Sequence, residues 1–190
     1  MSVISSQPLT IDEFLSLPNA ELFERNLIAG ELRERPMTLR NFSHSRIQMK
    51  IGYAIEAWLR TQAKPHGVCV GGEAAVSLGG NPPTLVGVDV AYIPAAVLQQ
   101  TNANARYVNG VPVLVVEIVS PSDADEDIHE KVEAYLNAGA PHVWVVRPRP
   151  QIITAHRPGK PPESFNITHD IFADPEMPGF GVKVAEIFAV

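Results

Sequence analysis

The chain has 190 residues, of which 45% are hydrophobic, and a formal net charge of −6 at pH 7. That length suits one domain with a single sizeable core, spanning residues 1–190, and the acidic balance argues against a strong nonspecific grip on nucleic acid without excluding nucleic acid as a substrate. A lone cysteine, Cys69, excludes an intrachain disulfide framework, and no basic-then-apolar leader at Met1–Pro8 and no apolar run near the ~20 residues of a membrane helix are seen, so a soluble, cytoplasmic protein is expected.

Thr10-Ile11-Asp12-Glu13 is a capping-box pattern opening a short helix that Pro18 ends. Strand-like runs over 22–28 and 31–35 meet at Ala29-Gly30, where glycine permits the positive φ of a hairpin turn. Ile47, Ile51, Ala54, Ile55, Trp58 and Leu59 recur at helical spacing, so a helix is predicted over 44–62, with Ser43 as its N-cap and Pro65-His66-Gly67 as its stop. Residues 68–78 read as a strand bent at Gly71-Gly72. Leu85–Ile93 follows as another strand, and then a polar loop over 99–109 that is expected to be mobile. Pro112–Ser120 is an almost unbroken β-branched run and reads as a buried strand.

Ser120-Pro121-Ser122-Asp123 breaks into a helix over 125–137. Its apolar stripe is Ile128, Val132, Tyr135 and Leu136, and Gly139 is a C-cap candidate. The strand 142–146 comes next, which makes a strand–helix–strand crossover and favours an α/β fold with a mixed sheet. Segments 151–156 and 165–168 read as edge strands, and 182–188 packs on the body. The basic groups Arg33, Arg35 and Arg40, and Arg147, Arg149, Arg157 and Lys160, read as solvated loop and edge charge.

Two acids stand out, because each lies in an apolar strand: Asp89 within Leu85–Ile93 and Glu117 within Pro112–Ser120. A buried carboxylate is costly unless it is protonated, paired or bound to a cation. Their spacing of 28 residues leaves room for a loop and a return strand, so both can reach one end of adjacent strands. Carboxylate oxygens suit Mg²⁺ or Mn²⁺, and the Ile118 carbonyl offers a third oxygen. Lys131, 14 residues beyond Glu117, flanks the stripe of the following helix. Two readings of it stand side by side: an ammonium near the strand end that orients water or steadies phosphate charge, or half of a solvated i,i+4 pair with Asp127.

With these residues in place, the chain resembles the Uma2 family (DUF820), a branch of the PD-(D/E)XK nuclease superfamily. The resemblance rests on Val88-Asp89-Val90-Ala91-Tyr92-Ile93, on Glu117-Ile118-Val119-Ser120-Pro121-Ser122-Asp123, on Lys131 with Tyr135, and on Ala138–Val146 with its Trp144. Gly30-Glu31-Leu32, His44, Met177-Pro178-Gly179-Phe180 and Glu186-Ile187-Phe188 extend it over about residues 9–188.

The resemblance implies a restriction-endonuclease-like mixed β-sheet flanked by helices, with an N-terminal helix and hairpin. It implies a Mg²⁺-dependent DNA endonuclease, in which Asp89 and Glu117 are the metal ligands and Lys131 takes the role of a lysine that usually follows the glutamate by two residues. Val119 stands at that place here. Glu31 would be the N-terminal acid of the site, with His44 near it, and a homodimer would match a duplex. Val88, Ala29 and Arg147 depart from the family's usual residues. The alternative is a nuclease fold that has lost catalysis and acts by binding protein or nucleic acid. A zinc hydrolase built on His142, His156 and His169 is rejected, because their spacing fits no compact ligand motif.

Overall fold

The computed structural model describes residues 7–39, 41–64, 66–102 and 104–190. Arg40 of the first basic group, Pro65 of the helix stop, Ala103 of the polar loop and residues 1–6 lie outside the described residues.

The first helix, α1 (Ile11–Leu15), carries the expected capping box: the Thr10 hydroxyl accepts from the Glu13 N–H, and Glu13 Oε2 accepts from the Thr10 N–H at 2.8 Å. A 3₁₀ turn, Ala20–Leu22, precedes the first strand, so β1 is Phe23–Ile28 and pairs with β2, Glu31–Pro36. Ala29 (φ 49°) and Gly30 (φ 78°) make the tight turn. A Cβ at position 30 would lie 2.4 Å from the Pro8 Cβ, so glycine is required there on two counts.

The long helix, α2 (Phe42–Leu59), starts earlier than the apolar spacing predicts. Asn41, not Ser43, is its N-cap, its side chain accepting from the His44 N–H at 2.9 Å. Both residue types cap well, and periodicity cannot choose between caps two positions apart. Asn41→Ala is expected to lower the unfolding free energy by about 1 kcal/mol and Ser43→Ala by clearly less, read from urea unfolding midpoints at a shared slope.

The remaining elements are β3 (Val68–Gly79), β4 (Thr84–Ile93), α3 (Ala95–Leu98), β5 (Val108–Asn109), β6 (Leu114–Ile118), α4 (Asp125–Asn137), β7 (His142–Arg147), β8 (Ile152–His156), β9 (Glu163–Asn166), β10 (Asp170–Phe172), β11 (Gly181–Lys183) and α5 (Val184–Phe188). The predicted loop over 99–109 ends in β5, which adds parallel to β3 at Val76 and Ser77. The edge strand expected over 165–168 stops at Asn166, where a turn closes with the His169 N–H on the Asn166 carbonyl.

Among the described residues nine strands form one mixed sheet, in the order β2-β1-β4-β6-β7-β8-β9 with β3 off β4 and β5 off β3. β6 and β7 are parallel and joined through α4, the expected crossover. β3 lines one whole edge of β4. The other edge is shared. β1 meets it at Leu85 and β6 meets it at Val90–Tyr92, so residues 86–89 have no strand partner on that side among the described residues.

Alternation along β6 and β7 sends their side chains to two cores. Leu114, Val116, Ile118, Trp144 and Val146 pack under α2 and the C-terminal segment. Val115, Val143 and Val145 pack under Ile128, Val132 and Tyr135 of α4. Trp144 stacks on Phe180 at 5.9 Å, which pins the last 20 residues to the sheet. No helix among the described residues is long and apolar enough to cross a membrane.

Candidate active site

The gap on the β4 edge is where the acids meet. A strand edge without a neighbouring strand leaves backbone groups that need other partners. Side chains supply them here: the Gly87 N–H donates to Asn26 Oδ1 at 2.9 Å, and the Gly87 carbonyl accepts from Lys131 Nζ at 2.8 Å. Across the gap, the Ile118 N–H donates to Asp89 Oδ2 at 2.7 Å. The Asp89 carboxylate therefore stands in for the next rung between β4 and β6.

Glu117 shares the face of Val115, two residues before it in β6, and so faces α4. Its side chain is 3% exposed. Oε2 accepts from Lys131 Nζ at 2.7 Å and Oε1 accepts from the Tyr135 hydroxyl at 2.6 Å. Burial raises the Glu117 pKa above its ordinary range although Lys131 opposes it, and the Asp89 charge raises it further. Burial and the adjoining carboxylate likewise push the Tyr135 hydroxyl well above its usual value, so it remains a donor.

Asp89 is pulled the other way. Burial alone would raise it, but the contact with His44, the Ile118 N–H and the Lys131 charge prevail, and its pKa lies below the ordinary 3.8. His44 Nε2 is 3.1 Å from Asp89 Oδ1, close but poorly aligned, and neither nitrogen of this buried ring has a well-formed hydrogen bond. We take the contact as mainly electrostatic on that geometry.

The depressed Asp89 pKa has a sign that can be measured. Its contribution to stability is present above pH 3.8 and is lost as pH falls through the lower folded value. The unfolding free-energy difference between wild type and Asp89→Asn should therefore widen as pH climbs out of the acid range. Parallel curves from pH 2 to 6, by chemical unfolding, would contradict it.

A cleft of about 290 Å³ lies over the gap, lined by Asp89, Glu117 and Lys131 together with residues of the β1–β2 hairpin. Two arginines tie the hairpin to the opposite wall. Arg33 grips Glu130 on α4 with bonds of 2.9 and 2.7 Å, and Arg35 pairs with Asp123 and, at 2.5 Å, with Glu24. Arg33 and Arg35 thus bridge the two walls, where solvated charge was expected of the first basic group.

Of the expected site residues, the structure brings Asp89, Glu117 and Lys131 together and adds His44 beside Asp89. Lys131 is buried against Glu117, not paired with Asp127 across a solvated face. Ile118 engages Asp89 through its N–H, where its carbonyl was expected to serve the site. Glu31 is not among the cleft-lining residues. Its carboxylate is 70% exposed and pairs with Arg33 at 2.9 Å, because its position next to the turn leaves it at the outer end of the hairpin.

Two contributors to the site were missed. Tyr135 was read as part of an apolar stripe and beside Lys131 in the resemblance, with no role for its hydroxyl, yet that hydroxyl holds Glu117. Glu73 lines the cleft and has a left-handed φ of 61° at the register shift between Gly71 and Ala74. The glycine pair before it was the available signal, since bulges re-aim side chains. Gly87 makes room for it, because a Cβ there would sit 2.6 Å from Glu73 Oε2.

Among the described residues, no group of three or more His, Cys, Asp or Glu is arranged to hold a metal. Asp89 and Glu117 are a two-carboxylate set, which is what Mg²⁺ commonly takes while keeping several waters. The lining also has eight carboxylates against three basic side chains, so a phosphate would enter against net negative charge unless a cation offset it. By donor chemistry the residues fit a hard divalent cation.

A family model described as "Uma2: Putative restriction endonuclease" matches residues 11–185. A solved structure described as a putative nuclease belonging to DUF820, from Anabaena variabilis, superposes with a TM-score of 0.79 at 21% identity, covering 96% of this chain and 98% of that one. At that identity the likeness establishes the fold. No curated protein matches the chain.

Proposed function

Since this chain belongs to the Uma2 family of putative restriction endonucleases, we propose that it is a Mg²⁺- or Mn²⁺-dependent DNA endonuclease. The observation that carries the reading is the meeting of Asp89, Glu117 and Lys131 in the gap on the β4 edge. Asp89 and Glu117 would hold the ion. When bound, it supplies a lowered water pKa and charge neutralisation at phosphorus.

The chain's own groups do the rest. The Ile118 N–H and His44 keep Asp89 ionised and fixed. Tyr135 fixes one Glu117 oxygen and Lys131 the other, so the carboxylate cannot rotate freely. The Lys131 ammonium, at the cleft wall, orients the attacking water and offsets charge building on the phosphate oxygens. Water attacks phosphorus in line, and the bond from phosphorus to the leaving sugar oxygen breaks. A single cytoplasmic domain acting as a homodimer would cut both strands of a duplex.

The test is supercoiled plasmid incubated with Mg²⁺ or Mn²⁺. Wild type should nick or linearise it and Asp89→Asn should not. Equal products from both, or none from wild type with either ion, would remove the assignment.

One observation favours a second reading, a nuclease fold retained for binding: both Glu117 oxygens already have protein partners. Calorimetric titration with Mn²⁺ separates the two. Binding that is lost in Glu117→Gln supports the enzyme; no binding by wild type supports the module.

A further inference from the structure

β6 and β7 run parallel, so their C-terminal ends lie on one rim of the sheet. A second cavity, of about 700 Å³, opens at that rim. Its walls are Asn41 and Ser43 at the start of α2, the Ser120-Pro121 turn ahead of α4, and the turn from Arg147 to Pro150 after β7. Asp123 lines both this cavity and the acidic cleft, so the two adjoin at one side chain. The size falls in the range of sites that enclose a small organic ligand, which is room for a short length of a nucleic acid strand.

The two spaces differ in available charge. The cleft holds an excess of carboxylates. The rim cavity holds two acids and two arginines, and its acids are weak competitors for a ligand. Asp123 is already committed to Arg35 and to the Ser120 N–H and hydroxyl. Asp125 meets Arg147 at 2.9 Å, but the carboxylate is 79% exposed, and such pairs contribute little. Arg149 is exposed and makes no ion pair among the described residues. Pro121, Pro148 and Pro150 stiffen the walls around these arginines.

We infer that this rim cavity binds the sugar–phosphate backbone of a nucleic acid strand on one side of the position to be cut. Arg149 binds one phosphate directly. Arg147 exchanges its exposed Asp125 partner for another, since a guanidinium matches phosphate oxygens in a bidentate fork. The Ser43 hydroxyl on the opposite wall is a further donor to the backbone. The inference rests on the reading that the adjoining cleft acts on a phosphodiester. It also reconciles an acidic protein with an anionic substrate, because the cleft's own basic side chains are paired with carboxylates and the unpaired Arg149 sits beside it.

The experiment is fluorescence anisotropy of the whole chain with a labelled oligonucleotide in EDTA, at three salt concentrations, using DNA and RNA strands of one sequence in parallel. Arg149→Ala should weaken binding to the preferred strand roughly tenfold and lower the slope of log affinity against log salt by about one. Arg149→Glu should weaken it further. Lys160→Ala, a charge loss on an exposed turn outside the cavity, should leave binding unchanged. Equal behaviour of Arg149→Ala and Lys160→Ala, or no measurable binding by wild type, overturns the inference. The two readings fail separately: a wild type that does not cleave plasmid while Arg149 dependence holds removes the endonuclease alone. Cleavage by wild type with binding indifferent to Arg149 removes the rim site alone.

Discussion

Glu117→Gln should lower divalent-dependent cleavage by about 10²–10³-fold or more, with the fold retained. The amide keeps the size of the side chain and can still accept from the Tyr135 hydroxyl, so the α4 packing under Val115 and Val145 persists, although leaving the Lys131 ammonium without its counter-charge lowers stability. What goes is the negative charge. Glu117 is one of two carboxylates proposed to hold the cation, and it is the charge against which Lys131 is set at 2.7 Å. Losing a single preorganised electrostatic group in a water-poor site commonly costs that much. Asp89→Asn should be of the same order, and combining the two should add little, because groups that act as a unit fail as a unit. Single-turnover cleavage with the circular dichroism spectrum of each variant decides it. Glu117→Gln within tenfold of wild type would mean that Glu117 is structural.

Lys131→Met should lower the unfolding free energy by about 3–5 kcal/mol at neutral pH, the usual cost of leaving one half of a buried ion pair without the other. Glu117 and Lys131 are both almost fully enclosed, with side chains 3% and 10% exposed, so solvent cannot replace the lost partner. The cost has a pH dependence of known sign. The Glu117 pKa is raised in the folded state, and it rises further once Lys131 is gone. A raised folded value means a contribution that is fully present below the ordinary 4.5 and lost as pH increases through the folded value. Lys131→Met should therefore be close to wild type in mild acid and clearly weaker at neutral pH. The double variant Glu117→Gln with Lys131→Met should regain most of the loss and remain inactive, since a neutral pair needs no counter-charge. Urea unfolding at pH 5 and pH 8 reads all three. A flat cost across pH, or no recovery in the double variant, would mean that the two charges are not coupled.

The particular elements show why part of this was legible in the sequence. β6 was legible because a β-branched run has few alternatives to a buried strand. The bounds of α4 follow from a stripe closed by Gly139, which has φ 95° just beyond the helix. Asp89 and Glu117 stood out because carboxylates seldom occur in such runs. Where competing signals were equal, the reading slipped. Asn41 and Ser43 are equivalent caps by type, and the helix start depended on which one its neighbours left free. Glu31 was carried over by resemblance, and the hairpin turns it outward towards Arg33.

The chain's order of residues determined that two acids would be sunk in apolar strands and that a strand–helix–strand unit would carry one of them towards Lys131 and Tyr135. These are consequences of local pattern, where burial and periodicity act over a few residues at a time. Tertiary structure alone decided that β1 and β6 would divide one edge of β4 and leave Gly87 and Asp89 without a neighbouring strand between them. How far each strand extends along that shared edge depends on long-range pairing and core packing summed over the whole sheet. That division creates the cleft and sets the company each acid keeps.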